Sequence, residues 1–166
     1  FDVLVDAGCS TNTVDSWGKS CAHFAAEFGK LDFMRNPKFG KTEYVVIDWR
    51  GRLPVHYAAQ NNHLDVMRFL VEEKGCDFTL PDNFGMTALH AACQNGSFDV
   101  AKYLIEKGAK LDLDFIGRSP IDFAVQADAK EIIEYVAQIS SEAINTVDAN
   151  GTTYLHKAVF AGAVNV

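Results

Sequence analysis

The histidines and cysteines of this chain are the residues that could bind a metal ion or act as nucleophiles. The sequence holds five histidines and four cysteines. Four of the histidines occupy one slot of a repeated pattern: His23, His56, His90 and His156. Neighbouring packed helices lie roughly 10 Å apart, and side chains at that separation cannot share a zinc ion. We therefore expect these histidines, and His63 after a helix-helix turn, to form structural hydrogen bonds, and we expect no metal and no cofactor.

The cysteines do not form a redox motif. Cys9 and Cys76 occupy the same slot in units two repeats apart, and Cys21 and Cys93 lie on the inner helices of the first and third units. Such residues cannot reach the Cα separation of about 4.4 to 6.8 Å that a disulfide requires. The chain contains no Cys-x-x-Cys. Free thiols are typical of an intracellular protein.

No catalytic arrangement stands outside the repeated pattern. The sequence shows no Ser-His-Asp order, no paired-carboxylate pocket and no phosphate-binding glycine loop beyond the repeats. Asp122 occupies the histidine slot of one unit. A carboxylate there serves as a hydrogen-bond acceptor at a helix start. The sequence therefore predicts no enzymatic activity.

Composition and charge exclude two further classes of function. The net charge is −7 and the sequence pI is near 5.1, whereas binding to nucleic acid needs clustered Lys and Arg. No apolar stretch approaches the roughly 18 residues of a membrane span, and no secretory signal is visible. We expect no nucleic-acid binding, no membrane insertion, and a cytoplasmic or otherwise intracellular location.

A pattern with a period near 33 residues must position these side chains. Its glycines, each preceded three residues earlier by an aspartate, are Gly18, Gly51, Gly85, Gly117 and Gly151. A glycine in a tight turn accepts a positive φ. Ser, Thr or Pro follows at a helix start, and paired alanines let helices approach closely. Each unit is thus a turn followed by two antiparallel helices, and needs a neighbour to cover its apolar face.

The pattern resembles the ankyrin repeat. The third unit fits best, with Asp82, Gly85, Thr87, Leu89, His90, Ala91, Ala92, Gly96, Leu104 and Gly108 in the family's positions. The fourth departs from the family pattern at Asp122 and at Asp128, which replaces a glycine. The resemblance covers essentially the whole chain. It implies an all-α solenoid of stacked helix-turn-helix units with β-hairpin tips, in a right-handed curved array.

The register divides the chain into six segments. They are the tail of a preceding repeat (1–14), a repeat with an irregular outer helix (15–47), three repeats (48–81, 82–113 and 114–147) and the start of a further repeat (148–166). The first and last segments are incomplete, so further repeats are expected at both ends. Pro37 cannot lie inside an α-helix without losing about 3 kcal/mol. We expect a short outer helix there, with Lys38 to Val46 irregular, either as a partner-specific loop or as a drifted repeat.

Candidate binding residues follow from the resemblance, because ankyrin repeats contact partners through hairpin tips and inner helices. The tip candidates, with the residues after the glycines, are Trp17, Trp49, Arg50, Arg52, Phe84, Met86, Phe115 and Ile116. The inner-helix candidates are Phe28, Gln60, Asn61, Gln94 and Asn95. Each tip ring either is exposed for binding or packs on the next hairpin. Lys19 and Arg118 add to a basic tip edge, which favours an acidic or apolar protein or peptide segment.

The resemblance implies a protein-protein interaction module, acting as a scaffold or docking platform. Two alternatives remain open. The chain could be the ankyrin regulatory domain of a larger enzyme or ion channel, or a structural strut in a cytoskeletal assembly that makes contacts along its outer helices. Asn12 resembles the asparagine that an oxygen-dependent hydroxylase modifies in ankyrin arrays, so Asn12 is a candidate modification site.

Overall fold

The structure, a computed structural model, describes residues 13–36, 41–139 and 152–153. Helices are the regular elements of this part of the chain. They are α1 (Cys21–Glu27), α2 (Leu31–Met34), a 3-10 turn (Lys41–Tyr44), α3 (Pro54–Gln60), α4 (Leu64–Arg68) continued by a π-helical turn (Phe69–Glu73), α5 (Ala88–Gln94), α6 (Phe98–Glu106), α7 (Pro120–Gln126) and α8 (Lys130–Ile139). The all-α repeat architecture predicted from the sequence is confirmed.

The aspartate of each unit builds the hairpin that precedes the inner helix. In the third unit, Asp82 Oδ1 accepts hydrogen bonds from the N–H groups of Phe84 and Met86, both at 2.9 Å. Gly85 between them has a φ of +82°, a conformation that costs glycine nothing. The same pair of bonds occurs at Asp15, Asp48 and Asp114. The sequence pattern shows the aspartate, but its role is evident only from these contacts.

The inner helices α1, α3, α5 and α7 pack side by side in series. Their paired alanines are buried, as at Ala58 and Ala91, so the helix backbones come close together. The outer helices α4, α6 and α8 cover the other side of the stack. The core therefore runs without interruption along the array, with Leu70, Leu89 and Leu104 fully buried within it.

The first outer helix is short. Helix α2 ends at Met34, which agrees with the break that Pro37 predicts, while Pro37 itself lies outside the described residues. The side chain of Tyr44, from the following 3-10 turn, is fully buried. Its hydroxyl donates to the carbonyl of Met34, and its ring makes an edge contact with Phe69, 5.6 Å between centroids. This segment thus fills the core of its own unit, which favours the drifted repeat over the partner-specific loop.

Within the described part of the chain, no helix is long and apolar enough to cross a membrane.

Candidate interaction surface

The four described hairpins form one continuous edge of the array. The N–H of Trp49 donates to the carbonyl of Trp17 at 3.1 Å, and the N–H of Phe115 donates to the carbonyl of Phe84 at 3.1 Å. Asn83 N–H bridges the middle pair by donating to the carbonyl of Arg50 at 2.8 Å. The tips are therefore held at a fixed spacing by backbone bonds and do not move independently.

The tip rings are exposed, and two of them also pack on a neighbouring hairpin. A Cβ placed on Gly18 would lie 2.7 Å from a ring carbon of Trp49, and one on Gly85 would lie 2.7 Å from a ring carbon of Phe115. Each of these two rings thus lies against the preceding hairpin. Yet the four tip rings keep 55 to 72% of their surface exposed. One edge of each packed ring is fixed, and the rest of its surface is open to a partner.

The arms of the hairpins add apolar surface that the sequence analysis missed. Most of these residues immediately precede a hairpin aspartate, as Ile47 and Leu113 do, and their side chains are exposed. We call the whole set the hairpin row: Val14, Trp17, Val45, Ile47, Trp49, Leu80, Phe84, Leu113, Phe115 and Ile116. An apolar residue one position before the aspartate, as in three of the four units, is the signal that could have revealed the arms.

A groove of about 460 Å³ lies between the first two hairpins and the inner helices behind them. Its lining residues are Asp15, Trp17, Lys19, Phe24, Glu27, Asp48, Trp49, Arg50, Arg52, Tyr57 and Gln60. The ammonium group of Lys19 lies in the groove, 2.8 Å from a Glu27 carboxylate oxygen and 4.3 Å from the centroid of the Tyr57 ring. Burial, together with a hydrogen bond to Asp48, raises the pKa of Tyr57 above its ordinary range. The floor of the groove is thus tied across two repeats.

The prediction of a basic tip edge is wrong. Lys19 is paired with Glu27, and Arg118 Nε lies 2.8 Å from the carboxylate of its own hairpin aspartate, Asp114. Arg52 Nε lies 3.1 Å from Asp82 of the next hairpin, and Arg52 also donates to Gln60 Oε1 at 3.2 Å. These internal ion pairs neutralise the cations that the sequence places side by side.

Two tip residues behave differently from the rest. Met86 is buried in the core, so its assignment to the exposed binding surface is wrong. It occupies the same position of the repeat as Lys19 and Arg52, but burial of its apolar side chain is favourable.

Arg50 is exposed, and its guanidinium group has no ion-pair partner within the residues that the structure describes. It is the tip cation that remains open to a ligand.

The five inner-helix candidates are found in four different surroundings. Gln60 lines the groove, whereas Asn61 and Asn95 donate side-chain hydrogen bonds to carbonyls of their own helices, at 2.9 and 3.1 Å. Gln94 is exposed beyond the groove lining. Phe28 is exposed in a separate depression of about 790 Å³ beside α1 and α2. The structure therefore does not bring these five residues together in one site.

The repeated histidines connect each unit to the next. His56 Nδ1 accepts from the N–H of Leu53 at 3.1 Å, and its Nε2–H donates to the carbonyl of Met86 in the following hairpin at 3.2 Å. His23 and His90 make the equivalent bonds. Burial lowers the pKa of all three imidazoles below its ordinary value. A protonated Nδ1 would also face a backbone N–H, so the neutral ring is the form that fits.

The other residues that suggested chemistry have structural roles or lie outside the described residues. Asp122 accepts from the N–H and the hydroxyl of Ser119, at 2.8 and 3.0 Å, as expected of a helix cap. Cys21, Cys76 and Cys93 are free thiols. Over the residues that the structure describes, no group of acidic, histidine and cysteine side chains could hold a metal ion. Asn12, His156 and Cys9 are among the residues that are not described.

The outer helices carry a different kind of surface. Their exposed faces hold ion pairs between repeats, such as Arg35 with Glu73 at 2.9 Å and Lys107 with Glu72 at 3.0 Å. Among the described residues, Ile139 is the one large apolar side chain of an outer helix that is exposed. The exposed apolar surface is thus concentrated on the hairpin side.

Comparison with known proteins agrees with this architecture. The family model for ankyrin repeats, built on three copies, matches residues 1–82 and 55–143. Rabankyrin-5 of Mus musculus is 27% identical over 149 residues, which are 88% of this chain and 13% of that protein. Ankyrin repeat domain-containing protein 53 of Mus musculus is 33% identical over 64 residues, which are 39% of this chain and 13% of that protein. The chain therefore corresponds to a small part of each relative. It belongs to the ankyrin-repeat family.

Proposed function

We propose that this chain is a protein-protein interaction module that acts as a scaffold or docking platform, and that the hairpin row is its binding surface. The observation that carries the proposal is the concentration of exposed apolar side chains on one edge. Ten of them lie on four adjacent hairpins. Ankyrin repeats generally serve as interaction modules, and the same edge is joined by backbone hydrogen bonds that keep it rigid.

The exposed area is large enough for a specific interface. An aromatic side chain has about 200 Å² to bury, so the four tip rings, at 55 to 72% exposure, offer about 500 Å². The largest apolar patch of an ordinary monomer covers about 300 to 600 Å². The six aliphatic residues of the row extend the surface beyond that range. A standard interface takes about 800 Å² from each partner, which the row can supply.

The chemistry of the surface favours an apolar partner segment over an acidic one. An acidic preference would need free cations, whereas three of the four tip cations form ion pairs within the chain. The proposal includes no enzymatic activity, because the repeated histidines are committed to backbone bonds. We also propose an intracellular location, which the three free thiols of the described residues support. A cytoskeletal strut is disfavoured, since Ile139 is the one large exposed apolar side chain on the outer helices that the structure describes.

A pull-down from native lysate with a matched control tests the proposal. The test variant carries Trp17→Ala, Trp49→Ala and Phe84→Ala. The control carries Phe28→Ala and Ile139→Ala, which remove exposed apolar side chains away from the hairpin row. Circular dichroism first establishes that both variants are folded. We expect the test variant to lose a partner that the wild type and the control retain. Equal recovery by all three proteins would contradict the proposal.

A further inference from the structure

The four tip rings fall into two close pairs. The N–H of Trp49 donates directly to the carbonyl of Trp17 at 3.1 Å, and its ring lies against Gly18, the next residue. The N–H of Phe115 donates directly to the carbonyl of Phe84, also at 3.1 Å. Backbones joined in this way lie about 4.8 Å apart. The hairpin row therefore presents two aromatic platforms, the first formed by Trp17 and Trp49 and the second by Phe84 and Phe115.

The step between the two platforms is longer and polar. The second and third hairpins are joined by Asn83 N–H, which donates to the carbonyl of Arg50 at 2.8 Å. The side-chain amide of Asn83 donates to the carbonyl of Trp49 at 3.0 Å, so it is used within the chain. The platforms lie two repeats apart, about 16 to 20 Å for helices that pack about 8 to 10 Å from each other. Arg50 lies midway between them.

Arg50 is the charged group at this step, and its guanidinium group is open to a ligand. The side chain is exposed, and the guanidinium has no hydrogen-bond or ion-pair partner in the ranges that the structure describes. The carboxylate of its own hairpin, Asp48, accepts from two backbone N–H groups and from the hydroxyl of Tyr57. The carboxylate of the next hairpin, Asp82, is paired with Arg52. Both aspartates are therefore already bonded to other groups.

The charge and the surroundings of Arg50 specify the group that it binds. A guanidinium group pairs with a carboxylate through two parallel hydrogen bonds. A single cation balances the one negative charge of a carboxylate, whereas a phosphorylated side chain carries nearly two. Rings covered by a partner on both sides would exclude water from the pair, which strengthens the attraction. A partner that covered both platforms without a carboxylate would leave Arg50 unpaired and partly desolvated, at a cost in affinity.

We propose that the hairpin row binds a segment of a partner protein that carries two apolar anchors with one aspartate or glutamate between them. One anchor contacts the first platform, the other contacts the second platform, and the carboxylate pairs with Arg50. This proposal rests on the proposed function and specifies its ligand. It agrees with the apolar preference of the surface, because a single carboxylate among apolar side chains uses the one cation of the described tips that is free.

Selection from a displayed library of random peptides tests the proposal with the full chain as bait. Peptides of about 20 residues span both platforms even as helices, which are then about 30 Å long. We expect the enriched sequences to carry one acidic residue between two apolar clusters. A bait with Arg50→Glu should enrich lysine or arginine at that place instead. The control bait carries Lys102→Glu, which reverses an exposed cation of α6 and gives the same net charge, and it should enrich the wild-type sequences.

Titration of one enriched peptide measures the contribution of the carboxylate. Both tryptophans of the chain belong to the first platform, so intrinsic fluorescence reports binding there. Replacing the acidic residue of the peptide by its amide should weaken binding to the wild type about tenfold. The two peptides should bind Arg50→Gln with equal affinity. Phe115→Ala should weaken the binding of both peptides, and Phe28→Ala should leave it unchanged.

Enriched sequences that lack an acidic residue between the apolar clusters would overturn the proposal. Enrichment of the same sequences by the wild type and by Arg50→Glu would also overturn it, as would equal affinity of the acid and amide peptides for the wild type. If those peptides were nevertheless lost by the variant with Trp17→Ala, Trp49→Ala and Phe84→Ala, the hairpin row would remain the binding surface, and the proposed function would stand without this ligand.

Discussion

Replacement of His56 by alanine should be among the most destabilising single changes in the array. The imidazole is 1% exposed and bonds two backbone groups in neighbouring repeats, Leu53 N–H at 3.1 Å and Met86 C=O at 3.2 Å. A buried backbone group left without a partner costs about 1 to 3 kcal/mol. Leu53 has no side-chain hydroxyl that could substitute. We therefore expect His56→Ala to lower the free energy of unfolding by about 3 to 5 kcal/mol, which includes the cavity left by the ring.

Urea unfolding followed by far-UV circular dichroism measures this loss. His63→Ala is the matched control, because His63 is only half-buried and its imidazole makes one hydrogen bond among the described residues, to the carbonyl of Glu27 at 3.0 Å. The control should lose about 1 kcal/mol. A loss for His56→Ala below about 1 kcal/mol, or one equal to that of the control, would refute the reasoning that the repeated histidine joins adjacent repeats.

The pH dependence of stability provides a second measurement on the same residue. Burial lowers the pKa of His56 in the folded state. The unfolded chain therefore binds more protons near the ordinary histidine pKa of about 6.5. The contribution of the neutral His56 ring to the free energy of unfolding is therefore complete above about pH 6.5, and it is lost as the pH falls below that value. Each such histidine contributes at most about 1.4 kcal/mol per pH unit to the slope. The free energy of unfolding should fall less steeply with decreasing pH in His56→Ala than in the wild type. An unchanged pH dependence would contradict the account.

Three further predictions concern the turns, the thiols and the irregular unit. Gly85→Ala should destabilise the protein by at least about 2 kcal/mol in urea unfolding, since a positive φ and a contact with the next hairpin both oppose a Cβ. Gly108→Ala, which meets no atom within 4 Å, should cost about 1 kcal/mol, and equal losses would show that the contact is unimportant. Burial raises the pKa of Cys93 to about 12, so a thiol reagent at neutral pH should label Cys21 before Cys93, and labelling at equal rates would contradict that burial. Tyr44→Phe should lower the free energy of unfolding by about 1 kcal/mol, and an unchanged urea midpoint would rule out its buried hydrogen bond.

The repeat register could be predicted because it depends on residue types at fixed spacing. Aspartate, glycine and histidine recur within one residue of the same interval, and each makes its bonds within one unit or to the next. The break before Pro37 was predictable for a similar local reason. The burial of Tyr44 was not, because it fills a space that exists only once the first outer helix has ended early.

The candidate site was predicted less well than the fold. The sequence left two arrangements open for the tip rings, exposure and packing on the next hairpin. The rings are exposed, and those of Trp49 and Phe115 also lie against the preceding hairpin. The charge of the tips was not predicted correctly. The ion pair between Arg52 and Asp82, for example, joins side chains 30 residues apart in the sequence. Met86 shares its slot with cations, and the slot alone does not say which way a side chain turns. The exposed arm residues, such as Ile47, were missed because the motif treats their position as variable.

Hydroxyl-radical footprinting of the chain, free and in complex with the partner captured in the pull-down, would test the central claim most directly. Oxidation of aromatic side chains reports their exposure residue by residue. We expect oxidation of Trp17, Trp49, Phe84 and Phe115 to fall when the partner binds, while Tyr135 on α8 is oxidised as before. Protection of Tyr135 with unchanged oxidation of the tip rings would place the interface on the outer helices and contradict the account.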